Sequence, residues 1–231
     1  MSGVMSDGDR GDQGTPDERA ARDTGPFPAG FFDRGDPSPD SGFYAFDRFV
    51  THIDDGAIAA VGDLYAELGL TGRVLDLMSS WISHFHQPPS ELVVLGMNER
   101  ELAANQQAAN HVVHDLNENP VLPFADASFD AVTCCVSVDY LVRPLEVFRE
   151  VRRVLVPGGW FVCTFSNRCF PSKAISGWLM TTDEQHLQIV SMYFTQSSSP
   201  GAQWDAPIAE LRTPRGMPGD PLYAVYASAR I

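Results

Sequence analysis

Between Arg73 and Phe165, short apolar runs alternate with segments of helical spacing, and this alternation restricts the fold more than any other feature of the chain. Arg73-Val-Leu-Asp-Leu-Met78, Glu91-Leu-Val-Val-Leu-Gly96, His111-Val-Val-His-Asp115, Phe129 to Val136 and Trp160 to Phe165 read as strands. The fourth is apolar enough to be buried on both faces. Glu99 to Gln107 is rich in good helix formers. Pro144 to Leu155 sets Leu145, Val147, Phe148, Val151, Val154 and Leu155 on one stripe, with Pro157-Gly158-Gly159 expected to end the helix. Ahead of the first strand, Ile58, Val61, Leu64, Tyr65 and Leu68 make Asp55 to Leu70 an amphipathic helix stopped by Gly69 and Gly72. Such alternation implies βαβ units with right-handed crossovers, and hence an α/β, doubly wound, mostly parallel sheet. Asp183 to Thr195 reads as a further helix. Pro207 to Arg212 and Leu222 to Arg230 read as an antiparallel strand pair split by the Pro- and Gly-rich turn Thr213 to Pro221.

A chain of 231 residues with 44% hydrophobic content can bury one full core, so residues 42–231 are expected to form a single domain. Residues 1–41 hold few large apolar side chains among many Asp, Gly and Pro, and are expected to be a disordered acidic tail. Phe43, Tyr44, Phe46, Phe49, Val50 and Ile53 then arrive together, suiting a short element that packs on the domain or lids it, with plain packing the simpler reading. Thirty acidic against 16 basic residues give a net charge of −14, which repels nucleic-acid phosphates and anionic lipid. Cys134, Cys135, Cys163 and Cys169 show neither zinc-site nor disulfide spacing, and the expected compartment is a reducing cytoplasm. No apolar stretch approaches the roughly 20 residues of a membrane span. Nothing in the pattern specifies an oligomeric state.

In an open parallel sheet the ligand crevice lies outside the carboxyl ends of the strands, where strand order reverses. Four segments are placed to line it: Asp76 to His84, Gly96-Met-Asn-Glu99, Asp115-Leu-Asn117 and Val136 to Tyr140. Two further runs, Leu122-Pro-Phe-Ala-Asp-Ala-Ser-Phe-Asp-Ala-Val132 and Arg153-Val-Leu-Val-Pro-Gly-Gly-Trp160, give the chain its family likeness. Through them it resembles the class I S-adenosylmethionine-dependent methyltransferases over roughly Leu64 to Asn167.

The resemblance implies a seven-stranded sheet whose last strand pair is antiparallel, S-adenosyl-L-methionine as cofactor, and methylation of a small-molecule substrate. It also implies a cofactor site made by Asp76, Met78, Ser79, Ser80, Asn98, Glu99, Asp115, Leu116 and Val136. Asp76 matches the acidic residue ending the family's first strand, and Asp115 matches the side chain that meets the adenine amino group, with Leu116 beside it. In two places the chain departs from the family. Met78, Ser80 and Ile82 stand where the family's turn has three glycines, which there allow positive φ and close backbone approach. Asn98 stands where an acidic residue usually accepts from both ribose hydroxyls, with Glu99 one residue on as a compensating carboxylate and the Asn carbonyl still able to accept one bond. The alternative is a non-catalytic, methyltransferase-like binding or regulatory protein that has lost its glycine turn.

The remaining candidates carry two readings each. Ser79, Ser80 and Ser83 suit ligand contacts or a helix start. Trp81 suits ring stacking or packing, and His84 and His86 alternate like a metal pair without a third ligand at suitable spacing. Asp139 and Tyr140 suit nucleophile orientation or a helix start with a packing ring. Arg168, after Ser166 and Asn167, suits an anion clamp or a solvated charge. A methyl transfer at an already activated sulfonium needs alignment more than a base, so no catalytic residue is named and no metal is expected.

Overall fold

β-Branched and aromatic residues on both faces of the central strands leave no side of the sheet for water, so helices must cover both. The computed structural model describes residues 22–213 and 219–230. Its elements are α1 (Asp40–Phe43), α2 (Asp55–Glu67), β1 (Arg73–Leu77), β2 (Glu91–Gly96), α3 (Glu99–Ala104), β3 (Asn110–Val113), β4 (Phe129–Cys135), α4 (Pro144–Val154), β5 (Leu155–Phe165), α5 (Ser176–Leu179), α6 (Asp183–Ser197), β6 (Ile208–Leu211) and β7 (Tyr223–Ser228). One seven-stranded sheet has the order β3-β2-β1-β4-β5-β7-β6. All its pairs are parallel except those of β7 with β5 and with β6. This is the doubly wound architecture expected, with strand order reversing between β1 and β4.

The two faces are read off the strand alternation. Leu75, Leu77, Val93 and Leu95 join a core with Val147, Phe148 and Val151 of α4 and Val190, Tyr193 and Phe194 of α6. Val74, Leu92 and Val94 join the opposite core with Val61, Leu64 and Tyr65 of α2 and Leu102 of α3. Helix starts follow local chemistry: Asp54 accepts from the Ala57 N–H, Pro144 opens α4, and Thr182 with Gln185 closes a capping box on α6.

Three expectations need correction. The expected tail ends early: residues 1–21 and 214–218 lie outside the described residues, but the chain from 22 to 41 packs on the domain. Phe27 and Phe32 are buried against Tyr193, with ring centroids 5.5 and 6.2 Å away, and the Ser176 and Gly177 N–H groups donate to Asp33 and Phe31 carbonyls. Those two phenylalanines supply the buried area that a Gly/Pro/Asp composition alone lacks. Second, Pro157-Gly158-Gly159 lies inside β5 at a break in its register with β4 and does not separate helix from strand. Gly158 takes φ of 82°, and a Cβ on Gly159 would lie 2.8 Å from the Asp130 carbonyl. Third, β1 and β4 each stop one residue short, because Met78 and Val136 turn to φ of 53° and 46°.

Candidate functional site

At the reversal point a cleft of about 500 Å³ opens, within the range of small-molecule sites. Its floor is the turn after β1. Asp76, at the end of that strand, is 5% exposed and accepts three hydroxyl bonds, each of 2.7 Å: Thr133 on Oδ1, Ser79 and Ser83 on Oδ2. Burial pushes its carboxyl above the usual range, and the three hydroxyls oppose that shift by stabilising the ionised form. Thus the serines first serve the turn itself, pinning it to the strand end.

The missing glycines are replaced by two devices. Met78 adopts the positive φ, and Val136 does so opposite it; for non-glycine residues, and above all for a β-branched one, each such conformation costs about 1–3 kcal/mol. Close approach is supplied by the neighbouring strand. A Cβ on Gly96 would lie 2.3 Å from the Ser79 carbonyl oxygen, and the Ser79 N–H donates to the Leu95 carbonyl at 2.8 Å. The turn therefore lies flat on the end of β2 because β2 ends in glycine.

Met78, Ser79, Ser80, Asn98, Asp115, Leu116 and Val136 all line the cleft, so the structure brings together seven of the nine expected cofactor residues. Asp76 lies beneath the turn, beside a small adjoining recess. Glu99 is exposed at the start of α3 and does not line the cleft, since one residue of helical rotation turns it outward. Glu101, not foreseen, points in: Oε1 accepts from the Arg48 backbone N–H and Oε2 from the Ser80 hydroxyl, both at 2.6 Å. Asn98 caps α3, its oxygen accepting from the Arg100 and Glu101 N–H groups. That oxygen is thus engaged and is not the spare ribose acceptor expected. Its amide nitrogen donates to the Tyr44 carbonyl and to Asp47, both at 3.1 Å. Asp115 Oδ1 accepts from the Asn117 and Glu118 N–H groups, which fixes the carboxylate.

The aromatic segment after residue 42 packs only in part. Ile53 is buried, but Phe46, Phe49 and Val50 are exposed, while Tyr44, Arg48, Thr51 and His52 form one wall of the cleft. Burial holds the His52 imidazole below its ordinary pKa. Tyr140, Asn167 and Arg168 also line the cleft, and Arg168 Nε is paired with Asp220 at 2.6 Å. Trp81 donates to the Val50 carbonyl, tying the turn to this wall. His84 and His86 part company: His86 pairs with Asp63, and no metal-holding group of three side chains occurs among the described residues.

Asp139 does not line the cleft; it is buried, and its Oδ2 has no hydrogen-bond partner among the described residues. Burial pushes its carboxyl up to about 8. Between the ordinary carboxylate range near 4 and about 8, the folded chain holds a proton that the unfolded chain has lost, so stability falls as pH rises through that window and levels off above it. Asp139→Asn removes this slope. Its stability relative to the unsubstituted chain is expected to improve by about 2–4 kcal/mol between pH 5 and pH 8. Urea denaturation at the two pH values checks this, and an unchanged difference would refute it.

Residues 70–163 match the family described as the methyltransferase domain. Over this stretch, less than half of its length, the chain is similar to that methyltransferase family. Among curated proteins, a biotin biosynthesis bifunctional protein of Teredinibacter turnerae is 28% identical over 57% of this chain and 24% of its own length. A ubiquinone/menaquinone biosynthesis C-methyltransferase of Dinoroseobacter shibae is 37% identical over 31% of each. The chain thus spans about a quarter to a third of the length of these relatives. The crystal structure of the cyclase SpnF superposes with a TM-score of 0.51 at 16% identity, covering 74% of this chain and 81% of that one, a likeness of fold alone.

Proposed function

We propose that the domain transfers a methyl group from S-adenosyl-L-methionine to a small molecule. The observation that carries this reading is the turn after β1: without its glycines it still lies flat on Gly96, keeping the cleft open with Asp115 fixed at its edge. Seating a cofactor requires such a surface. The methyltransferases among the relatives support the same reading.

When bound, the cofactor supplies a methyl carbon already activated by a sulfonium. Asp115 would accept from the adenine amino group and Leu116 would flank the ring, while the turn of Ser79 and Ser80 would carry the methionine end. Arg48, Thr51 and His52 close the opposite side and exclude water. His52, kept neutral by burial, can take a proton at a ring nitrogen from an acceptor that must lose one.

Asp115→Ala is expected to weaken S-adenosylmethionine binding about 10- to 100-fold, the cost of a charge-assisted bond. Glu99→Ala should leave it unchanged, because that side chain points to solvent. Calorimetric titration of both variants tests the assignment, and equal losses would overturn it.

A further inference from the structure

The cleft contains a cation, Arg48, without a carboxylate partner among the described residues: none lies within ion-pair distance of its guanidinium. Its neighbours fix it without neutralising it: Nη2 donates to the Phe43 carbonyl at 2.8 Å and Nη1 to the Phe46 carbonyl at 3.2 Å. The guanidinium carbon sits 4.4 Å from the Phe43 ring centre and 5.8 Å from that of Phe170. Two of the five N–H donors are committed, leaving three for a ligand. The carboxylates of the same cleft are otherwise engaged. Asp40 is held by Arg34, Lys173 and Asn117, and Glu101 by Ser80 and the Arg48 backbone. Arg168, the cation that the sequence singles out, is spent on Asp220.

In a chain of net charge −14, a pre-oriented, unpaired guanidinium in the main cleft is a selective feature. It is surrounded by flat surfaces, since Tyr44, Tyr140 and Phe170 line the same half of the cleft. We propose that this half binds a planar acceptor bearing a carboxylate, with the carboxylate on Arg48 and the ring among Tyr44, Tyr140 and Phe170. The proposal rests on the methyltransferase reading, because it assigns the acceptor side of that site. It makes the carboxylate the handle by which the acceptor is held and leaves open which of its atoms receives the methyl group.

The test titrates benzoate, and separately its neutral analogue benzamide, into the chain with and without saturating S-adenosylhomocysteine. Benzoate is expected to bind at least about 10-fold more tightly than benzamide, the margin a charge-assisted fork provides over a neutral contact. Arg48→Gln should erase that preference while benzamide and S-adenosylhomocysteine still bind, with a small fall in melting temperature from the two lost carbonyl bonds, and Arg48→Lys should keep part of the preference. Equal binding of the two probes, no binding of benzoate, or a preference surviving in Arg48→Gln would overturn the proposal. So would loss of S-adenosylhomocysteine affinity in Arg48→Gln, which would place Arg48 on the cofactor side. If S-adenosylhomocysteine itself fails to bind, the methyltransferase reading falls, and benzoate selectivity in the free chain still decides the role of Arg48.

Discussion

Gly96→Ala is expected to destabilise the domain by about 2–4 kcal/mol and to abolish cofactor binding at accessible ligand concentrations. The added methyl would meet the backbone oxygen of Ser79 at 2.3 Å, and a backbone atom cannot swing aside as a side-chain end would. Either β2 or the turn must retreat. Retreat of the turn breaks the Ser79 N–H bond to Leu95 and loosens the hydroxyls on Asp76. The control is Gly158→Ala, where nothing lies within 4 Å and only the positive φ is strained, so the cost is about 1–2 kcal/mol with cofactor affinity intact. Urea denaturation and calorimetry on both variants separate the effects. A Gly96→Ala protein that binds normally would mean that close approach at this strand end is not what shapes the cleft.

Asp76→Ala is expected to cost about 3–5 kcal/mol, a large share of the stability of a domain this size. The substitution leaves the hydroxyls of Thr133, Ser79 and Ser83 without their acceptor, and Thr133 and Ser83 are buried. Ser83 also receives the Asn105 amide at 3.0 Å, so the loss reaches α3 through the residue that caps its C-terminus. Asp76→Asn should cost only about 1 kcal/mol, because one oxygen stays with Thr133 and serine hydroxyls can turn to accept from the new amide. Chemical denaturation of the pair gives the comparison. Equal losses would show that the charge, and not the hub of acceptors, holds the turn.

The sheet was legible because apolar runs of strand length recur between stripes of helical period, and this periodicity is local to each segment. Asp76, Asp115 and Leu116 came from the family resemblance, and the structure sets Asp115 and Leu116 in the cleft and Asp76 beneath its floor. What the sequence obscured depends on contacts between distant segments. Glycine is needed at the cofactor turn, but here one partner in the close approach is Gly96, 17 residues after Ser79 and on the adjacent strand. Glu99 offers a carboxylate beside Asn98 in the sequence, but helical rotation carries Glu101 inward instead; the spacing from the Asn98 cap to a Glu three residues on is the clue. Arg48 lay in a segment read mainly for its aromatic residues, and nothing in its neighbourhood along the chain indicates that it would lack a carboxylate partner. The burial of Phe27 and Phe32 was hidden by the composition around them.

On the proposed function, a turn without glycine still seats the cofactor. Isothermal calorimetry of S-adenosylhomocysteine with the purified chain, checked beforehand by mass spectrometry for copurified ligand, tests it most directly. Saturable one-site binding that Gly96→Ala eliminates and Glu99→Ala preserves is the expected result. Absence of any heat of binding at millimolar ligand, from protein shown to be folded and ligand-free, would contradict it.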